Sequence, residues 1–163
     1  RNSTRGSESH VVQESAALRV TPELFLLLAV AANFHMFKEV RNLVRRDDLE
    51  DDVARGLYIS LEESFRNDES SLDSILARIE DERVRKILME KSAAGEFSDN
   101  CAEIIADTVS RVKEQSLRRK RKEIQHSIRA LEKDGGANEK IKNLLEEKIH
   151  LDTELESLRG RNV

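Results

Sequence analysis

The stretch SDNCAEIIADTVSRVKEQSLRRKRKEIQHSIRALEKDGGANEKIKNLLEEKIHLDTELESLRG, residues 98–160, decides the fold. From residue 99 to about residue 133 it holds no glycine or proline, while apolar residues recur at Ile104, Ile105, Val109, Val112, Leu117, Ile124, Ile128 and Leu131. That spacing predicts one helix capped by Ser98, and at ~1.5 Å per residue it would reach ~50 Å. Asp134-Gly135-Gly136 breaks it. From Asn138 a last helix carries Ile141, Leu144, Lys148, Leu151, Leu155 and Leu158 at alternating steps of three and four, a coiled-coil-like seam. Two such helices joined by a short break make an antiparallel hairpin. Ile124, Ile128 and Leu131 would hold it together against Ile141 and Leu144.

Upstream the chain reads as a series of shorter helices. Thr21-Pro22-Glu23 is a helix start, with threonine as cap, proline at the first position and an acid to meet the dipole. The helix that follows, to about Asn33, is apolar nearly all round, which predicts a central helix packed on every side. A second runs from Phe34 to about Val44, with Phe37, Val40 and Val44 on one stripe. The acidic run at 47–52 ends it and opens a third, to about Arg66, facing inward through Val53, Leu57, Leu61 and Phe65. Ser70 or Ser71 caps a fourth with Leu72, Ile75, Leu76 and Ile79. Asp81 starts a fifth with Val84, Ile87 and Leu88, which stops at Gly95, a residue suited to a left-handed end. The fold class is all-α: a bundle of five or six helices over 21–110 and a hairpin over 111–163, preceded by a polar linker over 1–20.

Composition narrows the function. Of 163 residues 38% are hydrophobic and 37% charged, with one proline, six glycines and no tryptophan. Few glycines and prolines leave little punctuation for a many-stranded sheet. So high a charged fraction suits helices with thin apolar stripes and argues against a roomy aromatic pocket. The longest apolar run, 24–32, is about half of the ~20 residues a bilayer crossing needs, so no membrane partner is expected. The polar start, RNSTRGSESH, reads as a linker within a longer protein, neither a signal nor a transit sequence. The lone Cys101 excludes an internal disulfide and fits a reducing, cytoplasmic setting.

The net charge of −4 conceals an asymmetry. Residues 47–82 hold thirteen acids and three arginines, net −10, and residues 111–133 hold nine basic residues and three acids, net +6. Opposite patches steer encounter with a partner, although helical faces also carry charge merely to stay solvated. The basic run Arg118, Arg119, Lys120, Arg121 and Lys122 offers a weak contact to nucleic-acid phosphates. Five consecutive helical positions spread around the whole circumference, so they do not form one groove-reading face, and no aromatic residue interleaves to stack bases.

Catalytic and metal chemistry find little purchase. The acids of 47–52 lack a calcium-loop spacing and are explained by the dipole of the helix they open. His10, His35, His126 and His150 are scattered and form no i, i+4 pair. Cys101, near a helix start, reads first as a structural thiol. No catalytic residue, metal or cofactor is expected.

Taken together, TPELFLLLAVAANF (21–34), KEVRNLVRRDDLEDDVARGLYISL (38–61), the long helix with its glycine break, and KIKNLLEEKIHLDTELESLRG (140–160) resemble the C-terminal helicase-binding domain of bacterial DnaG-type primases. The sequence departs from that family where Asn33-Phe34-His35 stands in place of an Asn-Pro-Glu turn. The resemblance implies a tether that docks primase on the hexameric replicative helicase of the DnaB type, couples primer synthesis to the fork and stimulates the helicase. The polymerising domains would lie upstream, and this chain alone would make no RNA. The end of the hairpin would supply the contact, with Leu151, Leu155 and Leu158 as anchors and Glu154 and Arg159 as a polar rim. A monomer is expected, with exchange of hairpins between copies as an alternative state. Competing readings are the N-terminal domain of the replicative helicase itself, a coiled-coil adaptor dimerising through the final seam, and an all-helical metal-dependent hydrolase using the acids of 47–52.

Overall fold

The computed structural model describes residues 17–135 and 138–161, and of Arg161 the backbone alone. Among the described residues there is no strand, and the fold is all-α as the sequence implies. Residues 1–16 of the expected linker lie outside them, and 17–20 lead into the first helix without regular structure.

Helix α1 (Pro22–Ala32) is the hub. Thr21 caps it by accepting the Leu24 N–H at 3.1 Å. Leu24, Leu26, Leu27, Leu28 and Val30 are all fully buried, because α2 to α6 each touch this helix. Each such side chain contributes about 1.5–3 kcal/mol by leaving water. A 3₁₀ turn (Phe34–Met36) separates α1 from α2 (Phe37–Leu43), so the expected second helix begins as a tighter turn. A second 3₁₀ turn (Arg46–Asp48) leads to α3 (Asp52–Arg66), capped by Asp51, which accepts the Val53 and Ala54 N–H groups. The buried face of α3 is Ala54, Leu57, Tyr58, Ser60, Leu61 and Ser64. Val53 and Phe65, expected to face fully inward, are half-buried. α3 packs against both α1 and α4.

Ser71 caps α4 (Leu72–Arg78) and Asp81 caps α5 (Glu82–Ala93). Gly95 then takes the left-handed conformation, φ +72°. The long helix α6 (Cys101–Lys133) starts later than the sequence suggests. Ser98 is not its cap. Asn100 occupies that position in the left-handed region, φ 53°, with no side-chain capping bond. The intervening residues are spent on a contact the periodicity does not show. Phe97 is 3% exposed, its ring lies 5.7 Å from that of Phe25, and its carbonyl accepts the Asn33 side-chain amide at 3.0 Å.

α6 is continuous through residue 110, where the bundle was expected to give way to the hairpin. Its first half supplies Ile105, Val109 and Val112 to the main core. Beyond that core, Leu117, Ile124 and Ile128 are buried along the same helix. α7 (Asn138–Arg161) packs there. It runs back along α6, since Arg121 pairs with Asp152, while Lys113 and Glu114, further up α6, meet Glu154 and Arg159. Among the described α7 side chains, those withdrawn from solvent are Ile141, Leu144, Lys148, Leu151, Asp152, Leu155 and Leu158. That set is the three-four seam with Asp152 added. Gly135 (φ +67°) begins the turn between the two helices.

Candidate docking surface and its electrostatic clasp

The acidic loop and the basic helix, opposite in charge and about 70 residues apart, are folded onto each other. Asp48 is the centre of the contact and is 2% exposed. One of its carboxylate oxygens accepts the Ser116 hydroxyl at 2.8 Å and the Lys120 ammonium at 2.7 Å. The other accepts the Arg45 backbone N–H at 3.0 Å and faces Lys113 at 3.6 Å. Burial alone would push this carboxyl up. The Lys120 hydrogen bond, the Arg45 N–H, the Ser116 hydroxyl and the Lys113 charge outweigh it and hold Asp48 well below the usual carboxylate range.

Neighbouring bonds tie the loop from both sides. Arg119 donates to the Asp48 carbonyl at 3.1 Å and pairs with Glu50 at 3.3 Å. The buried carboxylate of Glu23 accepts the Glu50 and Asp51 N–H groups, both at 2.8 Å. Tyr58 donates to the Val44 carbonyl at 3.2 Å, and the Arg55 guanidinium donates to the Leu49 carbonyl at 2.8 Å. The loop thus pins α6 to the bundle at the point where that helix leaves the main core.

The basic run is correspondingly divided. Arg118 pairs with Glu114 at 2.6 Å, Arg119 and Lys120 belong to the clasp, and Arg121 reaches Asp152 at 3.2 Å. Lys122 is exposed and has no ion-pair partner among the described residues. Asp152 is also held by Lys148 at 3.1 Å. Lys148 first, and then Arg121 against a burial effect that opposes them, keeps its carboxyl below the ordinary range.

At the end of α7 the side chains named from the sequence take different places. Leu155 is 4% exposed and filled into the seam with α6. Leu151 and Leu158 are half-buried, while Glu154 and Arg159 are exposed and lean toward Lys113 (4.0 Å) and Glu114 (3.9 Å). Ile124 and Ile128 are buried, and Leu131, Ile141 and Leu144 half-buried. Leu158 and Glu154 border a groove of about 490 Å³, whose other walls include Met36, Val40, Leu43 and Ala106. Leu43 is 54% exposed there.

Two further apolar residues stand out on α7. Leu145 is 46% exposed and Ile149 64% exposed. They sit one turn apart and outside the seam, so α6 does not cover them. Sequence reasoning passed over both because it followed the strict three-four spacing. Their signal was present as apolar residues left over once the seam is drawn. Among the described residues no three His, Cys, Asp or Glu side chains converge as a metal site would require. Of the acids of 47–52, Asp48 faces two lysines, Asp51 caps α3 and Glu50 pairs with Arg119. No described helix is long and apolar enough to cross a membrane.

These features define an all-α bundle that carries a braced helical arm with uncovered apolar residues. Over 160 residues, 97% of the chain, it is 33% identical to a protein described as DNA primase from Treponema pallidum (strain Nichols). The chain therefore resembles a segment of a bacterial DNA primase, which bears out the primase part of the resemblance read from its sequence. It spans 26% of that protein's length. No family model matches the chain, and no solved structure matches it.

Proposed function

We propose that the chain is the part of a bacterial DNA primase that docks on the hexameric replicative helicase, bringing primer synthesis to the fork and stimulating the helicase. The nucleotidyltransferase chemistry would belong to other parts of the parent protein. The observation that carries this reading is the uncovered apolar pair Leu145 and Ile149 on an arm that ion pairs already hold in place. A helix presenting apolar residues at i and i+4 fits a helical groove on a partner. Leu151 and Leu158 are half-buried about 120–180° around the helix from that pair, on the flank where Leu158 and Glu154 border the groove at Leu43, and with Glu154 and Arg159 they would form a second contact. Leu155 acts from beneath, keeping α7 on α6.

The bracing matters for affinity. An arm that is already ordered loses less conformational freedom on binding than one that must fold first. The clasp at Asp48 and the Arg121–Asp152 pair supply that order.

Capture of the replicative helicase from the same organism by the immobilised chain tests the reading. Leu145→Glu with Ile149→Glu should abolish capture while leaving helical content unchanged, because neither side chain is in the seam. Capture by this variant at the wild-type level would exclude the uncovered Leu145–Ile149 face as the contact. Deleting all of α7 is a poorer test, since it would strip the cover from Leu117, Ile124 and Ile128.

A further inference from the structure

The consecutive basic run is divided among internal partners, yet α6 carries a second basic pattern that the run obscures. Arg111, Arg118, Lys122, Arg129 and Lys133 are separated by seven, four, seven and four residues, and all five are exposed. At about 100° per residue these positions fall within an arc of roughly 60°, and at ~1.5 Å per residue they extend over roughly 33 Å. Leu117, Ile124, Ile128 and Leu131, which face α7, lie on the far side of the helix. Arg118 shares its charge with Glu114. Arg111, Lys122, Arg129 and Lys133 have no ion-pair partner among the described residues.

The remaining residues of this face are Gln115, Gln125 and His126, all exposed. It contains no apolar side chain. A protein interface draws its energy from a few buried apolar or aromatic anchors, and this stripe offers none. A polyanion needs none, because release of its counterions drives binding to a row of cations. The flanks decide which polyanion fits. Glu114 and Glu132 border one side and Glu123 lies beyond the other, so a single row of positive charge meets a single backbone. A duplex groove would place a second phosphate strand against those acids.

We propose that the outer face of α6 holds a single nucleic-acid strand by its phosphates, without reading its sequence, through Arg111, Lys122, Arg129 and Lys133 with Arg118 in support. This surface is separate from the uncovered side of α7 and does not depend on helicase docking. On a chain of net charge −4 the contact is weak and steeply dependent on salt.

Fluorescence anisotropy of a labelled oligothymidine of about 30 nucleotides, titrated with the whole chain and no helicase, reads this directly. Four phosphate contacts to a single strand predict a log–log salt slope near −3, or about a 50-fold loss of affinity between roughly 50 and 200 mM salt. Arg129→Gln alone should reduce that loss to about 20-fold. Changing Arg111, Lys122, Arg129 and Lys133 together to Gln should remove binding, with circular dichroism unchanged because all four are exposed on a helix that glutamine favours. Lys86→Gln, an exposed change on α5, should leave binding as it was. Absence of binding at about 50 mM salt, or equal binding by the fourfold variant, would overturn the proposal. So would tighter binding to a duplex of the same length or to phosphatidylserine vesicles.

Discussion

Replacing Asp48 with asparagine tests whether the loop-to-helix clasp stabilises the molecule or merely accompanies its folding. The variant keeps the shape of the side chain but removes its charge and turns one acceptor into a donor. Lys120 and Lys113 lose the charge they face, and of the two pairs of partners, Lys120 with Ser116 on one oxygen and the Arg45 N–H with Lys113 on the other, one pair also loses its acceptor. A hydrogen bond to a charged group contributes about 1.5–3 kcal/mol, and breaking a buried pair by removing one partner costs about 3–5 kcal/mol. The Lys120 and Lys113 side chains are 40% and 24% exposed, so water compensates part of the loss. The expected cost is therefore about 2–4 kcal/mol at neutral pH. Urea unfolding followed by circular dichroism should show it as a midpoint lowered by roughly 1–2 M for a protein of this size.

The pH dependence gives the sign. The native carboxyl lies below its unfolded value, so its contribution is fully present above the unfolded pKa of about 4 and fades as pH falls toward the native one. The stability gap between wild type and Asp48→Asn should be flat from about pH 8 to pH 5 and shrink below about pH 4. A gap under about 0.5 kcal/mol at neutral pH, the size of an exposed pair, would refute the reasoning. A gap that widens in acid would do the same.

Other perturbations separate the remaining parts of the fold. Leu27→Ala empties a fully buried site on the hub helix and should cost about 2–5 kcal/mol in the same urea assay. Thr21→Ala removes both the cap on Leu24 and the hydroxyl that donates to Asp51, and should lower stability by about 1–2 kcal/mol. Arg121→Ala breaks a half-exposed pair across the hairpin and should change stability by no more than about 1 kcal/mol.

The sequence was most legible where one helix's own periodicity or cap carried the information. Thr21-Pro22 marked the start of α1, Ser71 and Asp81 the starts of α4 and α5, and the three-four spacing of α7 matched the side chains withdrawn from water. What stayed hidden depends on which helix lies beside which. Asp48 reads locally as one acid among several before a helix, and only the register of α6 against the loop turns it into a buried partner of Lys120. Phe97 lies between Gly95 and Ser98, outside any periodic segment, while its carbonyl and ring complete the cover of α1. The basic run drew the eye because its residues are adjacent in sequence. Adjacency on a helix disperses side chains, and Arg111, Lys122, Arg129 and Lys133, scattered in sequence, are the ones that share a face.

Amide hydrogen exchange of the chain, alone and with the hexameric replicative helicase, tests the central claim most directly. Docking through α7 predicts slowed exchange at residues 145–158 on adding helicase, with α1 unchanged because its amides are already buried in the hub. Protection confined to α3, α4 and α5, or no protection at saturating helicase, would contradict the assignment of this chain as a helicase-docking arm.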